Sequence, residues 1–189
     1  MALTKLDATT ALIVIDIQKG IASMPTVHPM PEIIARAARL ARAFRERGLP
    51  VGLVNVAGAA PGRTDAGPRN WSFPPDWTEF VPELEPQPGD HVVTKLRVGA
   101  FHGTDLDSYL RGRGVTQVVI TGVATSFGVE STARSAYDLG YNVTLALDAM
   151  TDRDADAHKH CLEKIFPRIA ETGATEDVLK LLQESISRS

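Results

Sequence analysis

Four short apolar, β-branched runs punctuate the chain: Ala11–Ile17 (ALIVIDI), Pro50–Val56 (PVGLVNV), Thr116–Thr121 (TQVVIT) and Asn142–Leu147 (NVTLAL), with a weaker fifth at His91–Thr94. Runs this short that are apolar at nearly every position, not at every second one, predict strands buried on both faces, as in a parallel sheet covered by helices. Between them the apolar spacing becomes helical. Pro31–Arg47 puts Ile33, Ile34, Ala37, Ala38, Leu40, Ala41 and Phe44 on one stripe and stops at Gly48, with basic residues in its last turn. Leu106–Arg113 stops at Gly114 and Val129–Leu139 at Gly140, each just before a strand, and Asp156–Ile169 and Thr175–Leu182 complete the helical segments. Alternating strand and helix with short links predict right-handed βαβ crossovers and a three-layer α/β/α fold around a doubly wound, mainly parallel sheet. No repeat and no linker divides the chain, so 1–189 reads as a single domain.

Ala57–Gln87 breaks this rhythm with repeated prolines, with Gly58, Gly62 and Gly67, and with Trp71, Phe73 and Trp77. So long a connection is expected to cover a substrate; a structural or oligomer-contacting loop is the other reading. At 189 residues, a domain buries roughly 70% of its unfolded surface and needs no staple. A composition of 43% hydrophobic and 23% charged residues, with a net charge of −3, is that of an ordinary globular protein and gives no reason to expect nucleic acid or an anionic membrane as partner. A local Arg and Lys cluster can still bind a small anionic substrate. The single cysteine, Cys161, cannot form an intramolecular disulfide and has no zinc-type spacing, which fits a reducing compartment. Met1–Thr10 has no signal pattern and Ala11–Ile15 is far too short to span a bilayer, so a cytoplasmic location is expected.

In an open parallel sheet, ligands bind beyond the carboxyl ends of the strands, where the strand order reverses. Asp16 ends the first run, Lys95 follows the fifth, and Thr125, Ser126 and Gly128 lie where Thr116–Thr121 turns into a helix. Asp16 follows five apolar residues, at the rim of a dry core where desolvation raises a carboxyl pKa and suits it to general acid work. Taken singly, such an aspartate is more often a turn cap, and such a lysine a solvated strand end.

Together the residues are more specific. The strings IDIQKG (Ile15–Gly20), TKLRVGAF (Thr94–Phe101) and TGVATSFGVESTARSAYDLGYNV (Thr121–Val143), followed by Asp148-Ala149, resemble the isochorismatase-like hydrolases in order and spacing over nearly the full chain. The resemblance implies a six-stranded Rossmann-like sheet with Asp16 and Lys95 as the catalytic pair. Gln18 falls on the D-x-Q motif, Lys95 on K-x-R-x-x-A-F, and Gly128 on the position where the cysteine-hydrolase branch carries its nucleophile. It also implies a cis Val123–Ala124 peptide and an anion pocket made by the nitrogens of Ala124 and Gly128. Gly128 has no side chain to attack an amide, whereas isochorismatases proper carry glycine there and work without a covalent intermediate. The expected reaction is therefore acid-catalysed hydrolysis of an enol-pyruvyl ether such as isochorismate, with Asp16 as acid, Lys95 as its partner and Gly128 completing the site. Gln18, Arg69, Trp71, Arg97, Phe101, Ala124 and Thr125 are the expected substrate-binding residues, with Arg63, Phe73 and Trp77 as further candidates. The family habit also implies a homo-oligomer in which the Ala57–Gln87 loop shields a neighbour's pocket.

Three other readings compete. A catalytically silent family member that binds a ligand or partner, or an amide hydrolase working without the cysteine, fits the loss of the thiol. Ser126 loosely imitates a G-x-S-x-G elbow, with Asp148 or Asp152 and His158 following in the order of a serine esterase. His158 and His160 are two apart, which on a helix points them to different faces, and the segment NVAGAAPGR lacks the histidines of metal-binding relatives, so neither metal nor other cofactor is expected.

Overall fold

The computed structural model describes residues 3–65, 67 and 72–184. Its strands are β1 (Thr10–Ile15), β2 (Val51–Val56), β3 (His91–Lys95), β4 (Gln117–Val123), β5 (Asn142–Thr151) and β6 (Glu171–Gly173). They form one sheet in the order β3-β2-β1-β4-β5-β6, and every neighbouring pair is parallel. The chain starts mid-sheet, steps outward to β3, then returns to the other side of β1 and steps outward again. Strand order thus reverses between β1 and β4, which opens a crevice at their carboxyl ends.

The helices are α1 (Lys19–Ala22), α2 (Met30–Arg45), α3 (Leu106–Gly112), α4 (Glu130–Asp138), α5 (Ala155–His160) and α6 (Thr175–Glu184). Alternate residues of β1 feed two cores. Ala11, Ile13 and Ile15 pack with Leu106 and Leu110 of α3 and Ala133 and Ala136 of α4. Leu12 and Val14 pack with Ile33, Leu40 and Phe44 of α2 and Val178 and Leu182 of α6. Both faces of β1 are therefore dry, which is why its sequence is apolar at every position after Thr10.

Three elements differ from the sequence pattern. β6 is a three-residue strand, Glu-Thr-Gly, too short and polar to register as an apolar run. β5 extends to Thr151 because its pairing with β4 shifts register, Ile120 facing Leu145 and Gly122 facing Met150, and the surplus residues bulge. Asp156–Ile169 is not one helix: after α5 come a π-helical turn, Cys161–Ile165, and a tighter turn, Phe166–Arg168, where Pro167 has no N–H to continue the ladder. A second π-helical turn, Thr125–Val129, precedes α4.

The end of the long β2–β3 connection is tied back to the segment after β1. Gln18 Nε2 donates to Trp77 O (2.7 Å) and Val56 O (3.1 Å), and its Oε1 accepts from Val56 N (2.7 Å). The Trp77 indole donates to Val56 O (2.8 Å) and lies so close to Gly20 that any Cβ there would run into the ring.

Gly122 sets how closely β4 approaches β1 beside Asp16. Its φ of 121° favours glycine, and a Cβ would land on the Ile15 carbonyl oxygen, with Ile15 N at 2.7 Å. Gly48, at φ 64°, has open space around it. Gly122→Ala is expected to cost more than ~2 kcal/mol, against about 1 kcal/mol for Gly48→Ala, measured from urea midpoints with unchanged slope.

Candidate functional site

Asp16 leaves β1 with a left-handed backbone (φ 52°), its N–H donating to Val54 O (2.8 Å). Lys95 closes β3, paired across the sheet with Val56 of β2. From two strands away its side chain reaches over the end of β2, and Nζ donates to Asp16 Oδ2 at 2.7 Å and to Arg97 O at 3.4 Å. Both residues are out of water, at 5% and 2% exposure. Asp16 Oδ1 is also buried and has no hydrogen-bond partner among the described residues. Burial pushes the Asp16 carboxyl up to about 6, against the charge and hydrogen bond of Lys95, which pull it down. Between the ordinary 3.8 and about 6, the native state holds a proton that the unfolded chain releases. The contribution of this group to stability therefore falls as pH rises through that window.

The π-helical turn after β4 supplies the third side. A Cβ at Gly128 would lie 3.1 Å from Ile15 Cγ2, 3.2 Å from Asp16 Oδ2 and 3.3 Å from Val123 O. A side chain at position 128 would thus point at the Asp16 carboxyl and crowd it. The peptide between Val123 and Ala124, which opens this turn, is cis. Thr132 Oγ1 donates to Gly128 O (2.7 Å) and accepts from Ala100 N (3.1 Å), linking the turn to the segment after Lys95. That link has no distinctive sequence signal: it depends on a threonine one helical turn after Gly128.

The other expected residues are distributed differently. Gln18 is fully buried with both ends of its amide engaged by backbone, so it anchors a loop and is not free to bind substrate. Phe101 packs within the core, its ring centroid 5.9 Å from that of Tyr141. Thr125 is fully buried with its hydroxyl 2.8 Å from His158 Nδ1. Arg97 stays at the carboxyl edge next to Lys95, its Nη1 on Leu96 O (2.8 Å). Arg69 and Trp71 lie outside the described residues. Phe73 stacks on Trp77 at 4.3 Å.

The esterase reading fails on geometry: His158 pairs with Thr125, not Ser126, and Asp152 Oδ2 accepts the Ser126 backbone N–H at 2.6 Å. Cys161 Sγ donates to Glu130 Oε2 (3.0 Å), and burial first, then that carboxylate, pushes its thiol up to about 12. Among the described residues, no cluster of three or more His, Cys, Asp or Glu could hold a metal ion, and no helix is long and apolar enough to cross a membrane. A cleft of about 510 Å³ lies at the opposite, amino end of the strands, but its Arg45 is paired with Asp90 (2.8 Å) and its Arg113 sits over the Tyr109 ring. The chemistry-bearing groups are at the carboxyl edge.

Comparison with known proteins agrees with this placement of the fold. The Isochorismatase domain model matches residues 10–177. YwoC of Bacillus subtilis, an isochorismatase family protein, is 42% identical over 178 residues, 90% of this chain and 93% of YwoC. The ureidoacrylate amidohydrolase RutB of Methylobacterium radiotolerans is 34% identical over 207 residues, 91% of this chain and 80% of RutB. The structure of an isochorismatase family protein from Burkholderia thailandensis superposes with a TM-score of 0.91 at 44% identity, covering 95% of this chain and 98% of that one. With sequence and fold matched over nearly the whole described length, the chain belongs to the isochorismatase family of hydrolases.

Proposed function

We propose that the protein hydrolyses an enol-pyruvyl ether such as isochorismate by acid catalysis, without a covalent intermediate. The observation that carries this reading is the buried Asp16 carboxyl, with Oδ2 on Lys95, Oδ1 without a partner among the described residues, and Gly128, which has no side chain, facing it. Because Oδ2 accepts from Lys95, the acidic proton sits on Oδ1. Oδ1–H gives it to the terminal methylene carbon of the ether, and the double-bond electrons form the new C–H bond. The ether carbon becomes an oxocarbenium ion, to which water adds while returning a proton to Asp16. The hemiketal hydroxyl then loses its proton and forms the new carbonyl as the C–O bond to the alcohol breaks, and the departing alcohol oxygen takes up a proton, leaving pyruvate.

Lys95 stabilises the Asp16 carboxylate formed midway and holds anionic or ether oxygens of the substrate. The nitrogens of Ala124 and Gly128 are assigned to a substrate carboxylate, with Arg97 and Arg69 as its cationic partners. A bound carboxylate would raise the Asp16 pKa further and favour the acid form. The substrate is accordingly anionic, and a homo-oligomer in which part of the Ala57–Gln87 loop closes a neighbour's site belongs to the same reading, as does a cytoplasmic location. Similarity to RutB favours one other reaction, hydrolysis of an amide by water that Asp16 activates as a base.

Incubation with isochorismate while following pyruvate, beside ureidoacrylate, nicotinamide and simple amides, separates the two. Pyruvate release is expected to fall by ~10² to 10⁴ in both Asp16→Ala and Asp16→Asn. Iodoacetamide is expected to leave it intact, because the Cys161 thiol is buried and held protonated. Amide turnover without pyruvate release would contradict the proposal, and its loss on iodoacetamide treatment would in addition place a thiol in the chemistry. Lys95→Met removes the charge that lowers the Asp16 pKa, so carbon NMR of the Asp16 carboxyl should show its titration moving above about 6. A downward or absent shift would mean that the two groups are not coupled.

A further inference from the structure

Behind the Thr125–Val129 turn lies a buried polar cluster that the proposed chemistry does not use. His158 of α5, at 8% exposure, places Nδ1 2.8 Å from the Thr125 hydroxyl. Asp152, at 4% exposure and just beyond β5, accepts the Ser126 N–H on Oδ2 (2.6 Å), and on Oδ1 the N–H groups of Arg153 (2.7 Å) and Asp154 (3.3 Å). Residues 27 and 28 close the far side: Val27 N donates to Asp152 O (2.8 Å), and His28 N and Nδ1 both lie 3.1 Å from Thr151 Oγ1. The His28 and His158 rings are 4.8 Å apart. Burial, and then the His28 ring, hold the His158 pKa below its ordinary value, against the Asp152 carboxylate, which raises it.

A carboxylate and an imidazole are costly groups to remove from water, and apolar side chains would fill the same space at lower cost. What they do here that apolar groups cannot is bond to two consecutive residues, Thr125 and Ser126, of the turn whose Gly128 faces the Asp16 carboxyl. A displacement of about 1 Å at such a position is enough to lose ~10²-fold in rate. We propose that His158 and Asp152 are positioning residues, which fix the Thr125–Val129 turn so that Gly128 stays against Asp16. This rests on the reading that the turn is part of the reactive site, but not on which bond is cleaved there.

Amide hydrogen exchange tests the positioning without any substrate. Thr125→Val, which keeps the shape and removes the hydroxyl, and His158→Leu are each expected to speed exchange of peptides covering 125–129 by about tenfold or more. Peptides covering β1 should keep their wild-type rate. His158→Asn, whose side-chain amide reaches the Nδ1 position, should restore exchange to within about threefold of wild type. Unchanged exchange at 125–129 in both Thr125→Val and His158→Leu would overturn the proposal, as would an equal rise in β1, which marks a general loss of stability. With isochorismate, His158→Leu should lower kcat by about tenfold or more with KM within about threefold, and His158→Asn should recover it. A rise in KM with kcat unchanged would also overturn it. If wild-type protein releases no pyruvate, the ether reading fails by itself and the exchange measurements still decide the positioning.

Discussion

The contact between Asp16 and Lys95 is the interaction on which the site depends. Two charges taken out of water cost several kcal/mol each, and their attraction offsets this only where geometry is close and the remaining polar atoms are satisfied. Here Oδ2 has its partner at 2.7 Å and Oδ1 has none among the described residues. Burial alone would keep the carboxyl protonated and make its conjugate base inaccessible; Lys95 alone would keep it ionised. Together they leave the group at about 6, a rise from 3.8 worth ~3 kcal/mol in favour of the acid form. Such a carboxyl can both give up a proton and take it back.

The parallel topology produces that contact. Lys95 and Asp16 end strands separated by β2, and parallel pairing puts both ends on one edge. Gly122 lets β4 close on Ile15, which brings the following turn against the same carboxyl. The buried strands were legible because two covered faces require apolar residues at every position, and Asp16 stood out as the polar residue ending such a run. β6 was not, since three polar residues at a sheet edge carry no period. The split of the predicted Asp156–Ile169 helix was signalled by Pro167, but the π-helical turns had no signal, because an extra residue in a turn is decided by packing. Gln18 and Phe101 match family motifs, yet their roles depend on what surrounds them: one holds a loop by its amide, the other fills the core. Motif position by itself does not distinguish a side chain free to meet a ligand from one already engaged by the protein.

On the proposed reading, position 128 is what separates this protein's chemistry from that of a thiol hydrolase. A thiol there would stand beside Asp16, ready to lose its proton to it, and the carboxyl would then serve as a base. With glycine, the same carboxyl has no thiol to deprotonate, and its balance of burial against Lys95 suits it to begin as an acid. Similarity to a ureidoacrylate amidohydrolase over 91% of the chain is a similarity of scaffold, and in the proposed function this local difference sets the reaction.

The protonation state in which Asp16 works is therefore the central claim, and the pH dependence of kcat/KM for pyruvate release from isochorismate tests it most directly. A general acid requires the protonated carboxyl of the free enzyme, so kcat/KM should be highest below about 6 and fall about tenfold per pH unit above it. A kcat/KM that rises with pH through the same region would show that the ionised carboxylate is the working form, and would contradict general acid catalysis by Asp16.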